Sequence, residues 1–458
     1  MKLILASIIC FSSLLSFGTS TNPPDSTLSL FQKAELKLLI SDGRTYFNED
    51  NYRLALIKFR EALNVHQLSA EANYWVAECH LGLTNYQTAL KYALRAKDID
   101  EESVDELYYV LGSAYHKLGD FKNAQTSFKK ALQKVSKSRK RDLRIETKIE
   151  ECDRGILASK TPFDIEIKAL GPNINSKHDD YAGILSKDGK TLYFSSRQAQ
   201  NTGGGFSSGD SKYFSDIFIS DWDSKTSTWL KANNLDDRII ALNSEGFDDI
   251  SFLSSDEKSI YLSVNTEGIL SAKVNTQSTD IFISELGEKN NWSAPKQLDR
   301  AINSIGFEAS PSFTADGNTL FFVSERSGGY GRGDIWTSSN LNGRWSKPVN
   351  LGSKINTPFQ ETTVFVSGDG QYLFFSSDGH KGFGGYDVYV SKKFGDSWSA
   401  PVNLGFPING VTDETHFTYY PHLHKGLYSK LSTEENGGIG YRDIFEIDLS
   451  KFDLSKLF

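Results

Sequence analysis

ASPSFTADGNTLFFVSERSGGYGRGDIWTSSNLNGRWSKPVNLGSKIN, residues 309–356, is one complete copy of a pattern whose body the chain writes five times. Residues 309–314 predict a strand. Ala315-Asp316-Gly317-Asn318 follows as a hairpin turn, in which Asp-Gly suits the positive φ that tight turns demand. Residues 319–324 predict a second strand, with Phe321 and Phe322 on opposite faces. A Gly-rich loop, residues 328–333, leads to a third strand opened by Asp334-Ile335-Trp336, and residues 345–351 predict a fourth. Ile355-Asn356 then closes the copy.

The same order recurs along the chain. The first copy has Asp188-Gly189, Tyr193-Phe194, Asp216-Ile217-Phe218 and Trp229. The second has Asp256, Tyr261-Leu262, Asp280-Ile281-Phe282 and Trp292, without the turn Gly. The fourth has Asp369-Gly370, Phe374-Phe375, Asp387-Val388-Tyr389 and Trp398. The fifth has Leu427-Tyr428 and Asp443-Ile444-Phe445, then stops near Leu449. The closing phrase also occurs five times, at Ile174-Asn175, Leu242-Asn243, Ile302-Asn303, Ile355-Asn356 and Ile408-Asn409, but its first occurrence precedes any body. That offset is what a ring needs. Residues 168–175 supply the fourth strand of the last blade, so the fold expected over residues 163–449 is a five-bladed β-propeller closed by its N-terminal strand, without free sheet edges.

The Asp-Gly turn, the Leu-Tyr/Phe-Phe-Ser strand and the Asp-Ile-Phe/Tyr strand resemble the PD40 motif of TolB-like, WD40-like propellers. With the helical repeats described next, the layout resembles the TPR–PD40 envelope proteins of Bacteroidetes, including the PorE-type component of type IX secretion and gliding. Those proteins continue into a regulatory-like β-domain and an OmpA-like peptidoglycan-binding domain, whereas this sequence reaches only Phe458, with residues 450–458 as a tail. The resemblance therefore implies retention in the periplasm, peripheral to the outer membrane, without direct peptidoglycan anchoring. It implies envelope proteins, outer-membrane or secretion-machinery components among them, as partners.

Residues 27–159 are different in kind: apolar residues recur at helical spacing with almost no Pro. A step of about 34 residues aligns Gly43, Tyr46, Ala55, Phe59 and Ala62 with Ala77, Ala89, Ala93 and Ala96, and then with Gly112, Tyr115, Ala124, Phe128 and Ala131. Small residues let paired helices meet, and the large ones fill the gap between them. The pattern resembles tetratricopeptide (TPR) repeats: three units with turns at Asp50-Asn51-Tyr52, Thr84-Asn85-Tyr86 and Gly119-Asp120-Phe121, then a charged capping helix over residues 139–159. By repeat position Arg44, Asn48, Tyr74, Glu78, Tyr109, Ser113 and His116 face the concave groove, where TPR domains bind peptides or helices. Three repeats are near the minimum for stability, so a spacer role stays open. Basic residues Lys137, Arg139, Lys140, Arg141 and Arg144 read as a solvated cap or as a contact for an acidic partner or anionic lipid headgroups.

The whole is an α plus all-β multidomain chain of 458 residues with 38% hydrophobic and 12% aromatic content. Its formal charge of -8 argues against nucleic acid as a partner. Residues 1–20 read as a cleavable signal peptide: Lys2, an apolar run, then Gly18, Thr19 and Ser20. Cys10 offers a lipoprotein alternative that Ile8 and Ile9 disfavour, and no second hydrophobic span follows. Cys79 and Cys152 then read as two buried free thiols.

Chemistry is sparse. Gly205-Phe206-Ser207-Ser208-Gly209 has nucleophile-elbow spacing, but it lies in a loop between two strands instead of a strand-to-helix turn. His416, His422 and His424 share a face only if their strand is continuous. Asp221-x-Asp223 begins like a calcium loop, but Lys225 takes the next ligand position. Asp334, Asp387 and Asp443 recur too regularly for catalysis and read as strand-fixing acceptors. The loops between second and third strands gather Phe206, Tyr330, Arg332, Phe383, Tyr386, Tyr441 and Arg442 on one face, the longest being residues 197–215. Gly-rich loop architecture and a binding surface both account for them. The leading expectation is a non-enzymatic periplasmic scaffold without cofactor or metal, an accessory of type IX secretion or gliding by resemblance alone. The alternative is a propeller that binds a glycan or peptide, with or without hydrolysis.

Overall fold

The computed structural model describes residues 28–458 except 208, 209, 211, 270–275 and 433–435. The expected signal peptide with Cys10, and Ser208-Gly209 of the elbow-like motif, lie outside the described residues. An N-terminal TPR-like helical region precedes a five-bladed β-propeller. The chain divides into two compact units. One comprises residues through Ala114 with Lys130–Arg139, and the other Tyr115–Lys129 with Lys140–Phe458.

In the first unit α1 (Leu30–Asn48), α2 (Tyr52–Val65), α3 (Ala70–Gly82) and α4 (Tyr86–Ile99) pack in chain order. Side chains close the N-termini of the first three: Ser29 and Gln32 form a capping box, Asn51 accepts from Leu54 N–H, and Ser69 accepts from Ala72 N–H. The repeated small position works as expected, because a Cβ on Gly43 would lie 2.5 Å from the Phe59 ring. Phe59, fully buried, stacks on Trp75 at 5.6 Å. Asp50, Thr84 and Gly119 turn the chain with positive φ at the three predicted interhelix turns. α5 (Leu107–Lys117) starts in the first unit and ends in the second, α6 (Phe121–Lys134) does the reverse, and α7 (Lys137–Asp142) and α8 (Ile145–Ala158) follow.

The second unit holds the ring. Blade one is β2 (Asp180–Leu185), β3 (Thr191–Ser196), β4 (Asp216–Asp223) and β5 (Thr228–Trp229); blade two is β6 (Phe247–Leu253), β7 (Ser259–Asn265), β8 (Asp280–Glu285) and β9 (Lys296–Gln297). Blade three is β10 (Glu308–Phe313), β11 (Thr319–Ser324) and β12 (Asp334–Leu341), and blade four is β15 (Glu361–Val366), β16 (Tyr372–Ser377) and β17 (Asp387–Phe394). Their outer strands are split, into β13 (Arg344–Trp345) and β14 (Val349–Asn350), and into β18 (Ser397–Trp398) and β19 (Val402–Asn403). Pro348 and Pro401 sit at the splits, since neither has an N–H to give to a ladder. Blade five is β20 (Thr415–Tyr420), β21 (Lys425–Leu431) and β22 (Arg442–Asp448), completed by β1 (Ile167–Ala169) with Lys168 opposite Glu446. The predicted closure is thus present. In blade two Glu257 (φ 57°) takes the left-handed turn position that Gly189, Gly317 and Gly370 fill elsewhere.

The closing phrase has a physical meaning. In all five copies its Asn clamps the residue after the third-strand Asp, accepting from its N–H and donating to its C=O. The pairs are Asn175–Ile444, Asn243–Ile217, Asn303–Ile281, Asn356–Ile335 and Asn409–Val388, at 2.8–3.1 Å. Five residues further on, a buried acid accepts from the N–H of the residue after the Asn: Ser176 to Asp180, Ser244 to Asp248, Ser304 to Glu308, Thr357 to Glu361 and Gly410 to Glu414. Each innermost strand then carries a register shift, left-handed at Ala182, Ser310 and His416. Amides in these strands donate to a hydroxyl of the preceding blade: Ile250 to Ser195, Ser310 to Ser263, Val364 to Ser310, His416 to Thr363 and Ala182 to Ser429, at 2.9–3.2 Å. These bonds circle the ring completely.

Candidate functional site

The face that gathers the loops between second and third strands is built by the repeated Asp. Asp334 accepts from Tyr330 N–H (2.5 Å) and Gly331 N–H (3.1 Å), Asp387 from Phe383 N–H (2.9 Å), and Asp443 from Ile439 N–H (2.5 Å). Each carboxylate therefore folds the loop before its own strand. The loops then press on the neighbouring blade. A Cβ on Gly331 would lie 1.9 Å from Phe359 O, and one on Gly440 2.3 Å from Ser176 O. Glycine at these two positions is a packing requirement.

Of the side chains expected here, Phe206, Tyr330 and Tyr441 are 58%, 52% and 43% exposed. Phe206 stacks on Tyr213 at 4.2 Å, His178 meets Tyr213 edge-on at 5.5 Å, and Lys212 Nζ stands 4.4 Å above the Tyr441 ring. Blades one and five thus share one aromatic patch at the ring closure. Tyr213, His178 and Lys212 were not predicted; the one cue was their place in or beside a long loop next to the closing strand. Arg332 is exposed while its N–H is tied to Phe359 O, and Arg442 is half-buried.

Two expected face residues are committed elsewhere. Phe383 is 6% exposed and stacks on Phe406 at 4.6 Å, so it is core and offers no surface. Tyr386 donates from its hydroxyl to Gln360 (2.8 Å), and burial pushes that phenol up to about 12. Helical residues of the same unit cover this part of the face. Arg154 Nε donates to Gly382 O (2.8 Å), Lys117 Nζ to Val411 O (2.7 Å), and the Arg144 guanidinium lies 4.3 Å over Phe359.

The ring axis holds a second feature. A cavity of mixed lining, about 160 Å³, reaches Asp249, Ser310 and His416, and an apolar one of about 530 Å³ reaches the hairpin turns; Ile184, Ser251, Phe365 and Thr418 line both. Tyr181 donates from its hydroxyl to Asp249 Oδ1 at 2.6 Å. Burial raises the Asp249 carboxyl and lowers the His416 imidazole to about 3, so His416 is neutral.

Among the groove residues of the first unit, Arg44 and Asn48 are exposed, and Arg44 lies 5.3 Å over Trp75. Tyr74 is 2% exposed and donates to Glu78 (2.8 Å), whose carboxyl burial pushes up to about 7. Tyr109 and Ser113 are half-buried. His116 belongs to the second unit and is 2% exposed. It packs on Phe121 and Phe128 with Nε2 3.6 Å from Glu151, and burial holds it neutral. The helix face it was expected to present is covered there. The basic segment is partly paired: Arg139 grips Glu106 at 2.6 and 2.9 Å, and Lys148 grips Glu151 at 2.8 Å.

The remaining motifs resolve into structure. β20 ends at Tyr420 and a 3-10 turn follows, so the three histidines do not share a strand: His416 faces the axis, while His422 and His424 are exposed. Asp221 is held by Arg238, and Asp223 caps its own turn through Lys225 N–H. Phe206 pairs with Tyr213 in a bridge, so Ser207 is not at a strand-to-helix turn. Cys79 and Cys152 are buried free thiols, both pushed up to about 12 by burial. Among the described residues no group of three His, Cys, Asp or Glu is placed to hold a metal ion, and no helix is long and apolar enough to cross a membrane.

No curated protein matches the chain. Similar solved structures include the TPR domain of Arabidopsis OM64 (19% identity, 26% of this chain and 96% of that one, TM-score 0.24). The Yersinia enterocolitica type III secretion translocator chaperone SycD is similar at 13% identity, over 27% of this chain and 96% of that one, TM-score 0.25. An O-GlcNAc transferase mutant of Thermobaculum terrenum is similar at 18% identity, TM-score 0.25; the match takes 28% of this chain and spans only 24% of the transferase. Residues 105–133 match the family model described as tetratricopeptide repeat.

Proposed function

We propose that this chain is a non-catalytic adaptor of the cell envelope. It is exported to the periplasm, sits at the inner side of the outer membrane, and holds protein partners through its helical groove and its propeller loop face. The observation that carries this reading is the division of labour among propeller side chains. The polar groups repeated in every blade are bonded into the ring, whereas Phe206, Tyr330, Arg332 and Tyr441, which differ from blade to blade, stay on the surface. Exposed aromatics beside cations are what protein-binding hot spots use. The TPR match over residues 105–133 supports a second protein-binding element. The PD40 motif and the helical repeats favour an accessory of type IX secretion or gliding of the PorE type as the setting.

The test is crosslinking with mass spectrometry in intact cells, with fractionation. Crosslinks from Lys212 to an envelope protein are expected. Recovery of the chain from the cytoplasm, or crosslinks only within the chain, would overturn the reading.

A further inference from the structure

The register of the innermost strands orders the axial channel from end to end. Each strand starts at the loop face and runs toward the hairpin turns, so Tyr181 and Asp249 lie near the loop face, with Ser310 and His416 at the next position. Ser251 and Thr418 follow, and Phe252, Phe313, Val366, Tyr419 and Tyr420 lie toward the hairpins. The result is an apolar cavity of about 530 Å³ joined to a smaller one of about 160 Å³, whose wall mixes apolar side chains with hydroxyls and carries the Asp249 carboxylate. From Leu253 to Asp249 is four strand residues, about 13 Å. The apolar part falls within the size range of small-ligand sites, about 300–1,000 Å³, which are mostly apolar with a few placed polar groups.

The polar end has a definite charge preference. Asp249 is half-buried and is supported by neutral donors, the Tyr181 hydroxyl at 2.6 Å and the Ser195 and Ser215 hydroxyls. Arg197, whose charge acts on Asp249, is itself held by Asp210 at 2.5 and 2.9 Å. His416 is neutral and brings no positive charge of its own. A half-buried carboxylate on the wall of this cavity is a ready partner for a ligand cation.

We propose that the axial channel is a binding site for a cationic amphiphile, an amine on an extended apolar body. The body enters from the hairpin face and lies among Phe252, Phe313, Phe365 and Tyr419, and the ammonium donates to Asp249 in the smaller cavity. The four blades that supply these groups carry different residues at equivalent positions, so the site is asymmetric and holds one ligand. This proposal is independent of the adaptor reading, which concerns the loop face and the helical groove.

The test uses decylammonium, with decanol and decanoate as neutral and anionic probes of equal length, in isothermal titration against the full chain. Saturable binding of one decylammonium per chain is expected, at least about tenfold tighter than decanoate. Asp249→Asn is expected to bring decylammonium down to the level of decanol. Ser255→Trp, an exposed substitution at the mouth, is expected to weaken both while leaving the melting temperature unchanged, so the site remains testable if Asp249→Asn misfolds. No saturable binding, equal binding of decanoate, or binding that neither variant alters would overturn the proposal.

Discussion

The Asn175 side chain spans the backbone of Ile444, 269 residues away: Oδ1 accepts from the Ile444 N–H and Nδ2 donates to its C=O, each at 3.0 Å. The four other closing-phrase asparagines make the same clamp within continuous stretches of chain. Only Asn175 makes it across the ring closure, alongside the β1–β22 ladder. Replacing it with Ala leaves the buried Ile444 N–H without a partner, while the C=O keeps the Leu170 N–H, and is expected to cost about 2 kcal/mol. Asn303→Ala should cost a similar amount, because its clamp on Ile281 is equally buried. Urea unfolding followed by tryptophan fluorescence checks both. A midpoint unchanged by Asn175→Ala would mean that the N-terminal segment does not seal the ring.

Blade five departs from its siblings at one position. Where Ser176, Ser244, Ser304 and Thr357 precede the buried acid, it has Gly410, and Thr412 Oγ1 donates to Glu414 instead (2.7 Å). A Cβ on Gly410 would meet only Glu414 Oε1 at 3.4 Å, an ordinary contact. Gly410→Ala should therefore stabilise by about 0.5 kcal/mol, through the lost freedom of the unfolded chain. Gly440→Ala should destabilise by about 2 kcal/mol, because its Cβ would fall 2.3 Å from Ser176 O. Opposite shifts in thermal midpoint are the expected result.

Buried acids make stability depend on pH in an unusual direction. Burial pushes Asp180, Glu361 and Asp387 up to about 7 and raises Asp248 and Glu414 as well. With folded values above the ordinary ones near 4, the folded state binds more protons than the unfolded chain between those limits. Stability from these groups is then fully present below about pH 4 and is lost as pH rises toward 7. Hydrogen-bonded surface acids such as Asp188 and Asp316 are lowered and act oppositely, losing their contribution in acid. The urea midpoint should therefore fall from pH 5 to pH 8, and Glu361→Gln should flatten that slope. A midpoint that rises over this interval would show that the carboxylates are ionised and satisfied.

Most of the fold was legible because its signals are local and repeated. Asp-Gly turns, alternating strands and the displaced closing phrase fix blades and closure without any long-range knowledge. In the sequence the closing phrase marks only the end of a copy; that its Asn grips Ile444 or Ile281 depends on neighbours that a single copy does not reveal. The binding face was less legible, because loop position says where a side chain starts and not what covers it. Phe383 and Tyr330 occupy comparable loops, yet Phe383 is stacked on Phe406 and Tyr330 is half exposed. His116 failed for the same reason: repeat position puts it on a groove, and Phe121, Phe128 and Glu151 bury it.

That difference in covering separates binding from stability by experiment. Phe206→Ala with Tyr441→Ala removes two exposed rings and should leave the thermal midpoint within about 1 °C, since surface changes away from buried features cost little. Phe383→Ala opens a cavity against Phe406 and should cost about 3–5 kcal/mol. If the loop face holds a partner, the double variant, folded and equally abundant, captures that partner at least about tenfold less well, as loss of hot-spot aromatics does. Capture from an envelope extract, quantified against the wild-type chain, gives the readout. Undiminished capture by the double variant would remove the blade one and five patch from the interface and leave the helical groove as the contact.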